Sequence, residues 1–198
     1  MDMRLPDRLR LPFAFDSNGL ARDLAGLSAL GWTRHCVRQN YEGDWGAIAL
    51  RAAAGESHPV RLIYPDPLAT DFVDQPALRD CPHIRAALGV FHAPLRAVRL
   101  MRLAPGSTIK EHSDLDLSFE DGTVRIHVPV LTNAKVDFRL NGSRLTMEPG
   151  SAWYLRLSDP HSVTNGGDSD RVHLVVDATV NDWMADLLLR ATQLCEAA

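Results

Sequence analysis

A short stretch of the chain concentrates side chains of the types that bind metal ions and anions. The stretch Ile109–Leu131, IKEHSDLDLSFEDGTVRIHVPVL, predicts two strands and places His112, Asp114, Arg125 and His127 where a soluble domain usually buries aliphatic side chains. Residues i and i+2 of a strand project from one face, so His112 and Asp114 are positioned to chelate one ion. Either these side chains face solvent, or they point into a cavity that holds a metal ion and an anion.

A third metal ligand is needed to complete such a site, and His161 in the segment LSDPHSVTN is the natural candidate. Two histidines and one carboxylate form the facial triad that leaves three coordination positions open on Fe(II). The His-x-Asp pair is a weak motif by itself, and His161 after Asp159-Pro160 equally fits a polar turn. The metal site is therefore a hypothesis that depends on where the fold places these three residues.

Two strand patterns predict cationic side chains on the same interior face. In RVHLVVD, Arg171 and His173 alternate with aliphatic residues, and TVRIHVPV repeats the pattern with Arg125 and His127. Burying an uncompensated arginine is costly, so an inward arginine indicates that an anion, such as a carboxylate, binds there through charge-assisted bonds. The alternative is internal ion pairing with nearby carboxylates, namely Asp114, Asp116 or Asp177.

The composition restricts the class of protein. At 198 residues with 45% apolar content, the chain is within the size of one domain. The formal net charge of −4 argues against nucleic acid and membrane surfaces as partners, since both attract a basic excess. The cysteines are odd in number and widely separated, which predicts buried or inert thiols: Cys36, Cys81 and Cys195. We expect a cytoplasmic protein, since neither a signal region nor a run of about 18 apolar residues is present.

Helical and strand patterns in the first 94 residues predict a support layer. Residues 17–31 carry leucines at helical spacing after a candidate N-cap, Ser17, which predicts an amphipathic helix that ends near Gly31. The segments DWGAIALRA and HPVRLIY predict strands, and Pro82–His92 predicts a helix with Pro82 in its first turn. This layer is expected to cover one face of the remaining fold.

From Leu95 the sequence changes to short strand patterns separated by turn dipeptides such as Asn141-Gly142. Eight patterns predict a mainly β protein with a double-stranded β-helix, the jelly-roll or cupin-like fold: residues 95–104, 107–112, 123–131, 135–140, 143–147, 151–157, 161–165 and 170–178. Residues 181–196 predict a closing amphipathic helix. We therefore expect a single domain with a helical and strand support layer at 1–94, a β-helix core at 95–179 and a closing helix at 180–198.

Four segments of the core resemble the aspartyl/asparaginyl β-hydroxylase family of Fe(II)- and 2-oxoglutarate-dependent dioxygenases. These segments are RLMRLAPGSTIKEHSD, VRIHVPV, GSAWYLRLSDPHSV and RVHLVVD, and the resemblance extends roughly from Trp45 to Asp177. The family includes bacterial proline cis-4-hydroxylase-like enzymes. The resemblance implies that the chain uses Fe(II), 2-oxoglutarate and O2 to hydroxylate a C–H bond, with release of succinate and CO2.

The resemblance also implies roles for individual residues. The iron ligands would be His112, Asp114 and His161. Arg171 would hold the distal carboxylate of 2-oxoglutarate, Arg125 and His127 would complete the site of this acidic cosubstrate, and Trp45 would lie beside it. Arg51, Arg99 and Arg102 lie on neighbouring predicted strands, and we expect one of them to meet a substrate carboxylate.

Three residues depart from the pattern of the animal members of the family. Met101 replaces a serine that contacts 2-oxoglutarate, so that contact should be missing. Asp114 is present where those enzymes lack a carboxylate ligand, and Thr123 replaces an arginine. These last two differences favour a free amino acid or another small carboxylate over a peptide or protein substrate. The segments expected to roof the site are residues 65–72 and 113–122.

Two other functions remain compatible with the same residues. A cupin-like metal enzyme that does not use 2-oxoglutarate would share the barrel and the metal ligands but would not need Arg171. A metal-free barrel that binds anions would keep the arginines and would not need His112. The sequence does not identify the substrate, the position or stereochemistry of hydroxylation, or the oligomeric state.

Overall fold

Two antiparallel sheets form the frame of the protein. The computed structural model describes residues 4–196, which contain thirteen strands and four α-helices. The strands are β1 Arg8–Ala14, β2 Thr33–Arg34, β3 Tyr41–Glu42, β4 Trp45–Ala53, β5 Phe72–Asp74, β6 Leu95–Leu103, β7 Thr108–His112, β8 Thr123–Leu131, β9 Val136–Leu140, β10 Ser143–Leu145, β11 Ser151–Leu155, β12 His161–Asn165 and β13 Arg171–Thr179. The helices are α1 Ser17–Leu27, α2 Pro59–Ile63, α3 Pro82–Leu88 and α4 Asp182–Glu196.

The eight strands predicted from Leu95 onward are all present, and they divide between the two sheets. The larger sheet has the order β1-β11-β8-β13-β6-β4-β2, with β5 paired to β4, and the smaller sheet has the order β10-β9-β12-β7-β3. Residues 4–94 contribute strands to both sheets, because β4 pairs with β6 and β3 pairs with β7. The predicted double-stranded β-helix is thus confirmed.

Strict alternation along the central strands separates a structural face from a functional face. On β8 and β13, the aliphatic residues pack outward against the helices in one core cluster: Val124, Ile126, Val128, Val172, Leu174 and Val176. The intervening side chains point between the two sheets, because successive residues of a strand face opposite ways. A second apolar cluster, which includes Met101, Phe138 and Val163, fills part of that space. The inward polar residues are therefore held on two well-buried strands.

Several local predictions differ from the structure. The segment HPVRLIY was predicted as a strand, but it forms the short helix α2 because Pro59 occupies the first helical turn. The N-cap of α1 is Asp16 and not Ser17, since the Asp16 carboxylate accepts a hydrogen bond from the backbone N–H of Gly19. Helix α1 ends at Leu27, and Leu30 is exposed in a following 3-10 turn. Helix α3 ends at Leu88, four residues earlier than predicted.

The remaining predictions concern the closing helix, the cysteines and membrane-spanning segments. The closing helix α4 buries Leu188 and Ala191 against the larger sheet, whereas Leu194 is exposed. All three cysteines are free, as the sequence predicted; Cys81 is buried, whereas Cys36 and Cys195 are exposed. Within residues 4–196, no helix is long and apolar enough to span a membrane.

Candidate metal centre and anion pocket

A cavity of about 540 Å³ opens between the two sheets and contains the three residues predicted to bind metal. His112 ends β7, His161 begins β12, and the two residues face each other in the register of the smaller sheet. Asp114 follows β7 in the connecting loop. One potential ligand atom from each of His112, Asp114 and His161 lies within 4.8 Å of the others. The fold thus brings the three residues together, as the sequence predicted.

Hydrogen bonds at Nδ1 leave Nε2 of His112 and of His161 free for a metal ion. His112 Nδ1 lies 2.8 Å from the carbonyl oxygen of Lys110, and His161 Nδ1 lies 3.0 Å from that of Asp159. Because a carbonyl oxygen only accepts, each Nδ1 donates its proton and each Nε2 keeps its lone pair. Burial lowers the pKa of His161, which keeps this ring neutral and able to coordinate.

The carboxylate of Asp114 offers one oxygen to a metal and the other to an arginine. Its Oδ2 accepts a hydrogen bond of 2.7 Å from Arg125, while Oδ1 lies 3.7 Å from His112 Nε2. The backbone N–H of Asp114 donates to the carbonyl oxygen of Leu157 at 2.8 Å. Two imidazole nitrogens and one carboxylate oxygen match the facial donor set that suits Fe(II). The residues present therefore fit the implied metal.

Arg125 is ion-paired within the protein. Its guanidinium donates to Asp177 at 2.6 and 3.0 Å as well as to Asp114, and Asp177 also accepts a bond from Arg99. Burial opposes the charge of Arg125, but the Asp177 and Asp114 carboxylates outweigh it and raise the pKa of Arg125. The internal ion pairing left open by the sequence thus applies to Arg125, and its expected place in the site of the acidic cosubstrate stays a prediction.

Arg171 is different, because it is buried without a carboxylate. Only 3% of its surface is exposed, and among residues 4–196 no carboxylate oxygen lies within ion-pairing distance of it. Its Nη2 donates to His173 Nδ1 at 2.9 Å, its Nε has no hydrogen-bond partner, and its guanidinium lies 5.8 Å from the Phe138 ring centre. Burial lowers the pKa of Arg171 to about 9. This arginine has the properties expected of an anion receptor.

A chain of close polar contacts runs from Arg171 to His127. Arginine only donates, so His173 Nδ1 accepts from Arg171, and His127 Nδ1 lies 3.2 Å from the same atom. His127 Nε2 is buried without a hydrogen-bond partner. Burial lowers the pKa of His127 well below its usual value, so the ring is neutral. An unpartnered polar atom of this kind marks a place where a ligand completes the site.

Aromatic side chains form the wall next to the metal ligands. Trp45 lies 6.4 Å from the His112 ring and stacks on His35 at 3.7 Å, both measured between ring centres. Burial lowers the pKa of His35 to about 4, so a neutral imidazole faces the indole. Met101 lines the same cavity at the position where the animal enzymes carry serine. The sequence predicted Trp45 for this wall but gave no signal for His35.

Both predicted roof segments contribute residues to the cavity. The first supplies Pro65, Asp66, Pro67 and Phe72, and the second supplies residues 113–117. Arg96 also lines the cavity, although no pattern in the sequence marked it as a candidate residue. Asp177 lies on the inward face of β13, six residues after Arg171, and the same alternation that singled out Arg171 could have marked it.

Comparisons with known proteins agree with this arrangement. The family described as aspartyl/asparaginyl β-hydroxylase matches residues 29–180. A curated relative, the L-proline cis-4-hydroxylase of Rhizobium meliloti strain 1021, is 25% identical over 167 residues, which is 82% of this chain. The chain spans 57% of the length of that relative.

Solved structures share the fold. A prolyl-4-hydroxylase from Pseudomonas putida is similar with a TM-score of 0.53 at 12% identity, over 88% of this chain and 93% of the other. An oxidoreductase of the 2OG-Fe(II) oxygenase family from Burkholderia pseudomallei is similar with a TM-score of 0.53 at 17% identity, over 88% of this chain and 85% of the other. At these identities the likeness establishes the fold.

Proposed function

The chain belongs to the aspartyl/asparaginyl β-hydroxylase family, and from this membership we propose that it is an Fe(II)- and 2-oxoglutarate-dependent dioxygenase. It hydroxylates a C–H bond of an amino acid or aminoacyl substrate and releases succinate and CO2. The observation that carries the proposal is the presence, in one cavity, of a three-ligand metal cluster and a buried arginine without a carboxylate.

Each half of this observation argues against one alternative function. A cupin-like metal enzyme that does not use 2-oxoglutarate has no reason to bury an unmatched cation such as Arg171, since that burial is unfavourable until an anion arrives. A metal-free anion-binding barrel has no reason to bring His112, Asp114 and His161 within 4.8 Å with both Nε2 lone pairs free. The dioxygenase uses both features.

The residues divide the work as follows. His112, Asp114 and His161 would hold the iron through two imidazole nitrogens and one carboxylate oxygen. Arg171 would bind the distal carboxylate of 2-oxoglutarate, and Trp45 would exclude water from the cavity. When bound, the iron would supply the chemistry by which O2 oxidises 2-oxoglutarate and the substrate, while the protein supplies position and a dry pocket.

The substrate we propose is a free amino acid or a similarly small carboxylate, as the name of the relative, L-proline cis-4-hydroxylase, suggests. The arginines predicted to bind a substrate carboxylate are already paired: Arg51 with Asp74, Arg99 with Asp177 and Arg102 with Asp44. Arg96 takes their place in the proposal. It lines the cavity, and its guanidinium donates to the carbonyl oxygens of Pro67 and Ala69 at 3.4 and 3.0 Å.

Arg96 is suited to bind an anion that enters from solvent. Its guanidinium lies 5.1 Å from the Phe72 ring centre, and among residues 4–196 it has no ion-pair partner. Because carbonyl oxygens satisfy donors without neutralising the charge, the cation remains available to a carboxylate. Arg96 contacts the roof segment through Pro67 and Ala69, which supports the proposal that it binds the carboxylate of the substrate.

The experiment that tests the proposed function measures metal content, succinate and product together. Purified protein is loaded anaerobically with Fe(II) and then given 2-oxoglutarate, air and a panel of free amino acids and short peptides. We expect one iron per chain, and succinate release stimulated by an amino acid with a matching product that has gained one oxygen atom. Iron binding without any use of 2-oxoglutarate would select the cupin-like metal enzyme, and the absence of both iron binding and succinate would select the metal-free anion-binding barrel. Stimulation by peptides alone would overturn the substrate class and leave the dioxygenase standing.

A further inference from the structure

We propose that Arg125, Asp177 and Arg99 form a clamp that holds Asp114 as a one-oxygen metal ligand and thereby sets the affinity of the site for metal. The three residues are positioning residues, because they act through Asp114 and do not themselves offer an atom to the ion. This inference rests on the proposed function, since it assumes that the cluster of His112, Asp114 and His161 binds a metal.

Asp114 needs such support more than the two histidines do. His112 and His161 lie within paired strands of the smaller sheet, so their backbones are fixed by the ladder. Asp114 lies in the loop that follows β7, next to Leu115, which is 88% exposed, and to Asp116, which has a φ of 56°. Loop positions hold a ligand less accurately than strands do. The orientation of the Asp114 side chain must therefore come from contacts that other elements supply.

Arg125 donates a hydrogen bond to Asp114, and its bonds to Asp177 hold its guanidinium in place. Its Nη1 donates to Asp114 Oδ2 at 2.7 Å, while Nε and Nη2 donate to the two oxygens of Asp177 at 2.6 and 3.0 Å. The planar guanidinium makes bonds to two carboxylates at once, which a lysine cannot do with the same geometry. With Oδ2 occupied in this way, Asp114 directs Oδ1 toward His112 and His161.

The rest of the clamp follows from strand register. Asp177 on β13 lies directly opposite Arg125 on β8, and β13 also pairs with β6, which carries Arg99. Arg99 donates to Asp177 and, through Nη1, to the carbonyl oxygen of Ile63 at 2.9 Å. Two cations and two carboxylates thus form one network in which each charged group contacts a group of opposite charge. Asp177 therefore balances the charge of Arg125 even when a bound metal ion neutralises the charge of Asp114.

The test is the affinity of the full chain for Mn(II) in the absence of 2-oxoglutarate and O2, measured by titration calorimetry. The informative variant is Arg125→Gln, and the matched control is Arg102→Gln. Arg102 is also ion-paired, on strand β6 of the same sheet, but it does not line the cavity. We expect Arg125→Gln to weaken Mn(II) binding about 10- to 100-fold, the range found when a ligand loses its supporting hydrogen bond, and Arg102→Gln to leave it unchanged.

A conservative variant keeps the test decisive if Arg125→Gln does not fold. Arg125→Lys keeps the charge but cannot bond both carboxylates, so we expect a smaller but measurable loss of Mn(II) affinity. The clamp is overturned if both folded variants bind Mn(II) as tightly as the wild-type protein does. If 2-oxoglutarate binding is weakened in those variants, Arg125 acts in the cosubstrate site instead. If the wild-type protein itself binds no Mn(II), the proposed function fails first, and the clamp fails with it.

Discussion

Replacing Arg171 with leucine should move stability and cosubstrate binding in opposite directions. The guanidinium is buried without a carboxylate, and burial lowers its pKa to about 9, which corresponds to several kcal/mol of unfavourable free energy in the cosubstrate-free protein. An apolar side chain removes that cost. We therefore expect Arg171→Leu to raise the free energy of unfolding by about 1 to 4 kcal/mol, the range seen when buried charges are replaced by well-packed apolar groups.

The same substitution should greatly weaken binding of 2-oxoglutarate. Removing one partner of a buried charge pair costs about 3 to 5 kcal/mol, and each 1.4 kcal/mol is about tenfold, so the dissociation constant should rise more than about a hundredfold. Urea unfolding and anaerobic titration calorimetry measure the two effects. Arg10→Leu is the control, because Arg10 is exposed on β1 and outside the cavity. A stable Arg171→Leu variant with an unchanged isotherm for 2-oxoglutarate would refute the assignment and favour the metal-only function.

Three further predictions concern single residues. His161→Ala removes one of three metal ligands and should abolish both iron retention and succinate formation; wild-type turnover in this variant contradicts the ligand set. Asp177→Asn should lower the free energy of unfolding at pH 7 by about 3 to 5 kcal/mol, since two buried arginines lose their carboxylate. Burial opposes the charge of Asp177, but Arg125 and Arg99 lower the pKa of this carboxyl below 3.8. The stability that Asp177 contributes is therefore present above pH 3.8 and is lost as the pH falls through the pKa of the folded protein. Urea unfolding should show the wild-type protein and Asp177→Asn reaching the same free energy of unfolding only in that acidic range. Arg96→Gln should raise KM for the amino acid substrate with little change in kcat. If the substitution raises KM by the same factor for the amide of that amino acid, Arg96 does not bind the substrate carboxylate.

The strands and the metal cluster could be predicted from the sequence because each depends on a short-range pattern. Turn dipeptides divide the core into strands, and alternation assigns Arg125, His127 and Arg171 to the inward face. The spacing of His112 and Asp114 requires only that they lie near one strand end. His161 joins them through a long-range contact, the pairing of β12 with β7, so the sequence could offer His161 only as a candidate ligand that the family resemblance supported.

The features that sequence reasoning missed depend on long-range contacts. The partner of Arg125 is set by the register of β8 against β13, which no local pattern contains, so the sequence could offer Asp177 only as one of three alternatives. The apolar segment at residues 58–64 is too short for its period to distinguish strand from helix, and Pro59 decided the outcome. Arg96 was missed because its significance depends on the other arginines being paired.

The central claim is that the three-ligand cluster and Arg171 form one site, in which the metal and 2-oxoglutarate are bound together. The most direct test is an anaerobic titration of the protein with 2-oxoglutarate, carried out with and without bound Mn(II) in place of iron. If one site holds both, each ligand must strengthen the binding of the other, and we expect 2-oxoglutarate to bind at least about tenfold more tightly when the metal is present. Identical isotherms with and without the metal would contradict the account, because they would show that the cluster and Arg171 act separately.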